Sequence, residues 1–281
     1  MGKTADATSK ASDLLPVPQE AVGSVLHVRV HALAQGEVLA CLTRWAEDCE
    51  SRYVCLCNVH VVVTANQQPA LSRAVNGADL GLPDGAPIAW VLRRMGFPQQ
   101  RRIAGPDLLW HLCERAAEIH IPIFLLGGTP DTLQMLEARL QTGIHGLHVA
   151  GAHSPPFREL TASEDEAIVR SINESGARLV LVGLGCPKQE LWMAAHRGRV
   201  QAVMLGLGAA FDFHAGTAKR APLWMQRAGF EWLHRLLSEP RRLWKRYLVT
   251  NSIFAVKVTG QLLRGYASRQ TAGPNRGERD N

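Results

Sequence analysis

The sequence has no apolar run approaching the roughly 18 to 20 residues that would cross a bilayer. Its best stretches, Ile121 to Gly127 and Val200 to Ala210, are short and end at glycine or near charge, so a membrane-spanning segment is not expected. The first 20 residues mix Lys3, Asp6, Lys10, Asp13, Pro16 and Pro18 with small polar residues and lack the apolar core of a secretory signal. They read as a disordered leader, and the protein as cytoplasmic. Cysteine is sparse: Cys41, Cys49, Cys55, Cys57, Cys113 and Cys186 lie scattered in apolar surroundings, without the dense spacing of a disulfide scaffold, so reduced thiols are expected. Cys55 and Cys57 followed by His60 come nearest to a metal motif. A C-x-C pair in a strand points to one face, however, and no second cluster completes four ligands. No D-x-D motif occurs, and no metal or other cofactor is expected.

What is present suits a globular protein. With 281 residues, 46% hydrophobic and 20% charged, the chain can bury a sizeable core. Short β-rich runs (Val25 to Val30, Tyr53 to Cys57, Ile121 to Leu126, Leu147 to Ala150, Arg178 to Val182, Gln201 to Leu205) alternate with helical patterns. The helices are expected over Glu37 to Ala46, Pro87 to Met95, Asp107 to Ile119, Thr132 to Leu140, Ser163 to Glu174 and Gln189 to His196. Such alternation predicts an α/β fold with right-handed crossovers and a mostly parallel sheet, with ligands beyond the carboxyl ends of the strands. There the sequence places Pro83-Asp84-Gly85, Gly127-Gly128-Thr129-Pro130, Gly183 to Glu190 and Gly206-Leu207-Gly208. Three glycine-rich turns that each run into a helix form a candidate phosphate cradle, although glycine at a strand end also serves ordinary turns.

The net charge of +6 is concentrated near the C-terminus. Lys219, Arg220, Arg227, Arg235, Arg241, Arg242, Lys245 and Arg246 face only Glu231 and Glu239 over that stretch, among Trp224, Trp232 and Trp244. A continuous helix is expected from about Pro222, and a second from Pro240 to about Leu263. The domain reading is therefore a leader (1–20), an α/β core (21–218), a basic Trp-rich helical appendage (219–265) and a disordered tail (266–281). Cations with tryptophans suit reversible docking on an anionic membrane surface, or a helical pair packed on the core with its polar face in water. No nucleic-acid recognition motif accompanies the charge.

In order along the chain, Asn58, ADLGLPDG (78–85), RIAG (102–105), FLLGG (124–128), GLGCPKQE (183–190), GLGAAFDFHAG (206–216), KRAP (219–222) and EWLHRLLSEP (231–240) resemble the WecG/TagA/CpsF glycosyltransferases. The resemblance covers roughly residues 25 to 250 and implies a Rossmann-like core. It also implies an inverting, metal-independent transfer of a sugar such as N-acetylmannosamine from a UDP donor to a polyprenyl-diphosphate-linked saccharide. The setting would be surface-polysaccharide assembly at the inner face of the plasma membrane, by copies that can self-associate. It makes Asp84 the general base, which inversion requires to take the acceptor's proton; otherwise Asp84 merely N-caps the helix that follows. Arg102, Arg235 and Arg242 match family arginines, and Lys245, one turn beyond Arg242, can add charge against the departing diphosphate. Gln189 and Glu190 are expected to bind uracil, ribose or sugar hydroxyls, Asn58 a sugar, and Gly127, Gly128 and Gly185 the phosphates. Leu56 stands where some members carry threonine, which bears on sugar specificity.

Three rival readings follow from the same residues. Val182-Gly183-Leu184-Gly185 prompts a dinucleotide-dependent oxidoreductase, but lacks the third glycine and the acidic ribose partner about 20 residues on. Cys186 at a helix start prompts a cysteine hydrolase, with no histidine clearly placed to partner it. A membrane-docked scaffold that binds a nucleotide-sugar without turnover is the non-enzymatic alternative.

Overall fold

A computed structural model of the protein describes residues 21–271; the expected leader and residues 272–281 of the expected tail lie outside them. The chain begins with a hairpin, β1 (Val22–Val25) and β2 (Val28–His31), followed by α1 (Gln35–Glu47), β3 (Arg52–Cys57), α2 (Val59–Gln67), α3 (Pro69–Asn76), β4 (Leu80–Pro83), α4 (Ala86–Arg94) and α5 (Gly105–Glu118). Then come β5 (Ile123–Gly127), α6 (Pro130–Gly143), β6 (Val149–His153), α7 (Ala162–Glu174), β7 (Leu179–Gly183), α8 (Lys188–His196), β8 (Val203–Gly206) and α9 (Ala210–Ala215). Three further helices close the described chain: α10 (Leu223–Arg227), α11 (Glu231–Ser238) and α12 (Pro240–Thr271).

Six strands form one parallel sheet in the order β4-β3-β8-β7-β5-β6. Its central strands are apolar throughout because both faces are covered. Successive side chains alternate between two cores: Leu125, Leu181 and Leu205 join Trp45, Leu109, Leu136 and Phe211 on one side. Phe124, Val180 and Met204 join Val62, Leu71, Ile88, Ile172, Met193 and Phe254 on the other. Cys55 and Cys57 both enter the second core and are buried, as a C-x-C pair in a strand must be if it faces one way. The Rossmann-like α/β architecture expected from the alternation is what the chain adopts.

Three local expectations need correction. Val25 to Val30 is not one strand: Leu26 and His27 adopt φ of 48° and 68°, the two left-handed residues of a tight hairpin turn. Asn66 donates to the Leu26 carbonyl at 3.3 Å, and Leu26 N–H donates to Gln261 Oε1 at 2.9 Å, so tertiary partners hold a turn that its sequence does not favour. The expected continuous helix from Pro222 is broken, because Gly229 at φ 80° ends α10 and α11 starts afresh at Glu231. The last helix runs past the expected Leu263 to Thr271. Its inner face is packed down, with Leu243, Phe254 and Val258 buried, the latter two in the same core as α2.

Candidate active site

A cavity of about 490 Å³ opens over the carboxyl ends of β4, β3, β8 and β7, within the size range of small-molecule sites. Its floor is the set of loops expected to carry chemistry: Asn58, Asp84-Gly85, Gly185-Cys186 and Gly206 to Ala209. The helical C-terminal segment forms its roof with Glu231, Trp232, Arg235, Tyr247, Thr250, Asn251 and Phe254. Five helices start at its wall, contributing Val59 and His60 from α2, Ala86 from α4, Gly105 from α5, Gln189 from α8 and Ala210 from α9. Helix N-termini carry partial positive charge, so their convergence favours an anion.

Asp84 sits on this floor, half-buried, with its N–H donating to Cys57 carbonyl oxygen at 3.2 Å. The N-cap of α4 is Gly85, at φ 84°, so Asp84 lies outside the helix and its carboxylate is not spent on a cap. Asn58 has two duties. Its Oδ1 accepts from Val61 N–H at 3.1 Å, capping α2, while its Nδ2 donates to Asp84 Oδ2 at 3.2 Å. Burial pushes the Asp84 carboxyl up to about 6; the Asn58 hydrogen bond opposes that rise, Glu231 reinforces it, and Arg102 and Arg235 oppose it. The result is a carboxylate that is ionised at neutral pH and more basic than ordinary aspartate.

Arg102 lines the cavity beside Asp84, its loop tied to β4 by Ile103 N–H donating to Pro83 carbonyl at 2.8 Å. Its guanidinium holds Glu231 at 2.5 Å. The second Glu231 oxygen meets Arg220 Nε at 3.3 Å, and Arg220 forks onto Asp107 at 2.5 and 2.9 Å. Arg235 also reaches the cavity, its guanidinium 5.5 Å from the Phe213 ring centroid. Glu231 and Arg220 were not singled out as site residues from the sequence; the only signal was that Glu231 and Glu239 are the sole acids among eight bases.

Not every expected residue arrives. Gly185 and Gln189 line the cavity, and Gln189 braces its own loop, Oε1 accepting from Gly185 N–H at 3.1 Å and Nε2 donating to Glu190 Oε1 at 2.9 Å. Glu190 itself is fully buried behind it, with its pKa raised by desolvation, and does not face the cavity. Gly127 and Gly128 also fall outside, beyond β7. Gly127 is glycine because a Cβ there would lie 2.6 Å from the Gly183 carbonyl carbon, so its role is close packing of two loops. The glycines that do line the cavity with the helix starts include Gly185, Gly206 and Gly208. Lys245 is exposed and does not line the cavity, and the Arg242 side chain lies outside the described residues. Leu56 lines the floor, at the position where the resemblance gives threonine in some members.

The glycosyl transferase WecG/TagA/CpsF family model matches residues 23–268, a span containing every residue that lines the cavity.

Proposed function

Because the chain belongs to the WecG/TagA/CpsF family of glycosyl transferases, we propose that it transfers a hexose by inversion from a UDP donor to a polyprenyl-diphosphate-linked saccharide, with Asp84 as general base. Membership makes the protein a glycosyltransferase of cell-surface polysaccharide synthesis, a class that uses nucleotide-sugar donors and lipid-linked acceptors. The UDP donor, the inversion and the residue roles are our reading. The observation that carries it is Asp84, a carboxylate raised to about 6 on the floor of a cavity ringed by helix N-termini and arginines.

In this reading the acceptor hydroxyl lies against Asp84, which takes its proton as the oxygen attacks the anomeric carbon from the face opposite the leaving group. The bond from that carbon to the phosphate oxygen breaks, and its electron pair departs with UDP. Arg102, Arg235 and the partial positive charge at the starts of α8 and α9 offset the growing negative charge. Asn58 orients the base by donating to Oδ2. The roof from α11 and α12 excludes water, which would otherwise hydrolyse the donor. With its basic residues and exposed tryptophans, the same segment rests on the inner face of the plasma membrane, where the acceptor is held.

The test is a panel of UDP-sugars offered with short-chain lipid-diphosphate-sugar acceptors, following UDP release by wild type and Asp84→Asn. The expected result is a loss of at least about a hundredfold in the variant with donor binding retained, in keeping with general-base contributions of about 10² to 10⁴. Equal rates remove Asp84 from the chemistry. Binding without UDP release, under any donor and acceptor pair, leaves a nucleotide-sugar scaffold in its place.

A further inference from the structure

The Arg102–Glu231 contact places a carboxylate on the guanidinium that the proposed reaction assigns to the diphosphate. At 2.5 Å it is a close charge-assisted pair in which both partners are about one-fifth exposed, and it occupies the Nη1 donor that a phosphate oxygen would otherwise take. Glu231 belongs to the roof and Arg102 to the floor, so the pair also latches one to the other. The two Glu231 oxygens are unequally held: Oε2 is on Arg102, while Oε1 makes only a longer contact of 3.3 Å with Arg220 Nε. Arg220 is already fixed by its fork onto Asp107 and does not line the cavity. It therefore offers Glu231 a preformed second partner, out of the ligand's way.

We propose that Glu231 is a displaceable carboxylate that holds, on Arg102, the place of a ligand phosphate oxygen, and that the incoming phosphate drives it onto Arg220. The inference rests on the functional reading above, since it takes the ligand to be a nucleoside diphosphate. The exchange costs little. Arg102 trades one oxyanion for another, and Glu231 is left with a cation beside it, whereas a carboxylate stripped of its partner in this setting would be strongly unfavourable. It also alters the surroundings of Asp84, which faces Asn58 from the start of α2, Cys57 from β3, Arg102 from the loop after α4, and Glu231 and Arg235 from α11. With a phosphate on Arg102 in the place Glu231 leaves, that guanidinium stays paired with an oxyanion, so donor binding keeps the base basic.

The experiment measures binding of UDP and of uridine to the full chain at fixed ionic strength, for wild type, Glu231→Gln, Arg220→Gln and the double variant. Glu231→Gln is expected to tighten UDP by roughly three- to tenfold, because an internal competitor is gone. Arg220→Gln is expected to weaken UDP by a similar factor, and that loss should vanish in the double variant, where no carboxylate needs a second partner. Uridine, which has no phosphate, should respond to none of them. UDP affinity that is unchanged or weaker in Glu231→Gln overturns the inference, as does a loss in Arg220→Gln that persists in the double variant. Parallel weakening of both ligands also overturns it, because the ion pair then only holds the roof in shape. Failure of every form to bind UDP while binding uridine, or failure to bind either, sinks the proposed function and this inference with it.

Discussion

To act as the proposed base, Asp84 must be ionised and yet basic enough to want a proton, and its surroundings set that balance. Burial pushes its pKa to about 6, against the Asn58 hydrogen bond and two arginines. The proposed reaction needs the ionised form, so kcat/KM is expected to rise tenfold per pH unit below about 6 and level off above it. A profile flat from pH 5 to 8 with wild type would assign the base elsewhere. The same shift affects stability. The folded state binds this proton more tightly than the unfolded chain, whose carboxyl titrates near 3.8. Stability from this group is thus fully present below about pH 3.8 and is lost as pH rises through about 6. Asp84→Asn carries no charge, so it should stabilise the protein at pH 8, by something of the order of 2 kcal/mol, and the gain should disappear near pH 4. Thermal unfolding of both forms at the two pH values measures it; a variant less stable than wild type at pH 8 would contradict this account of the carboxylate.

Elements place these residues by close approach as much as by pairing. Gly183, at the end of β7, has Phe211 of α9 against it: a Cβ would fall 2.6 to 2.8 Å from ring atoms that are themselves almost fully buried. Gly183→Ala is therefore expected to cost about 1 to 3 kcal/mol through overpacking. It should also displace the start of α9 at the cavity wall, read as a lower denaturant midpoint with reduced UDP affinity; unchanged values in both would mean that the two loops have slack. The parallel sheet and its helices were legible because buried strands such as Ile123–Gly127 are continuously apolar and the helices between them have a clear period. The helix α2 was not, since Val59-His60-Val61-Val62-Val63 reads as β-rich by composition. Burial of Val61, Val62 and Val63 against the core, with Asn58 capping, overrides that preference. The cavity floor was legible from loops that follow strands. Glycine alone could not separate a residue that lines the cavity (Gly185) from one in tight packing (Gly127), nor could a motif show that Glu190 points inward while its neighbour Gln189 faces the cavity. The Arg102–Glu231 latch joins residues 129 positions apart, and no local pattern announces it.

At the scale of the whole molecule, charge and exposed aromatic surface are gathered toward the C-terminal helices. Eight Lys or Arg lie between residues 219 and 246, and along the same segment Leu223, Trp224, Phe230, Leu237, Trp244 and Leu248 are exposed. On α12, Arg241, Trp244, Lys245 and Leu248 share an outward face while Leu243 turns in, so this helix packs on the core and still presents cations beside indole. No described helix is long and apolar enough to cross a membrane; in the proposed reading this surface meets the headgroups of the leaflet that holds the acceptor. Basic residues near an anionic leaflet contribute about 1 kcal/mol each, and that attraction is screened by salt. The protein is expected to co-sediment with phosphatidylglycerol-containing vesicles, to bind pure phosphatidylcholine weakly, and to be released by raised salt. Trp224→Ala with Trp244→Ala should lower vesicle partitioning by roughly tenfold, because interfacial binding scales with buried apolar area, while turnover of a water-soluble short-chain acceptor stays near wild type. A second copy of the chain could cover the same apolar residues instead. In that case the double substitution would leave vesicle binding intact and shift the sedimentation coefficient toward the monomer, assigning the patch to self-association. The two outcomes separate because a membrane attracts the tryptophans and the cations together, whereas a like-charged second copy would be repelled by the cations beside them.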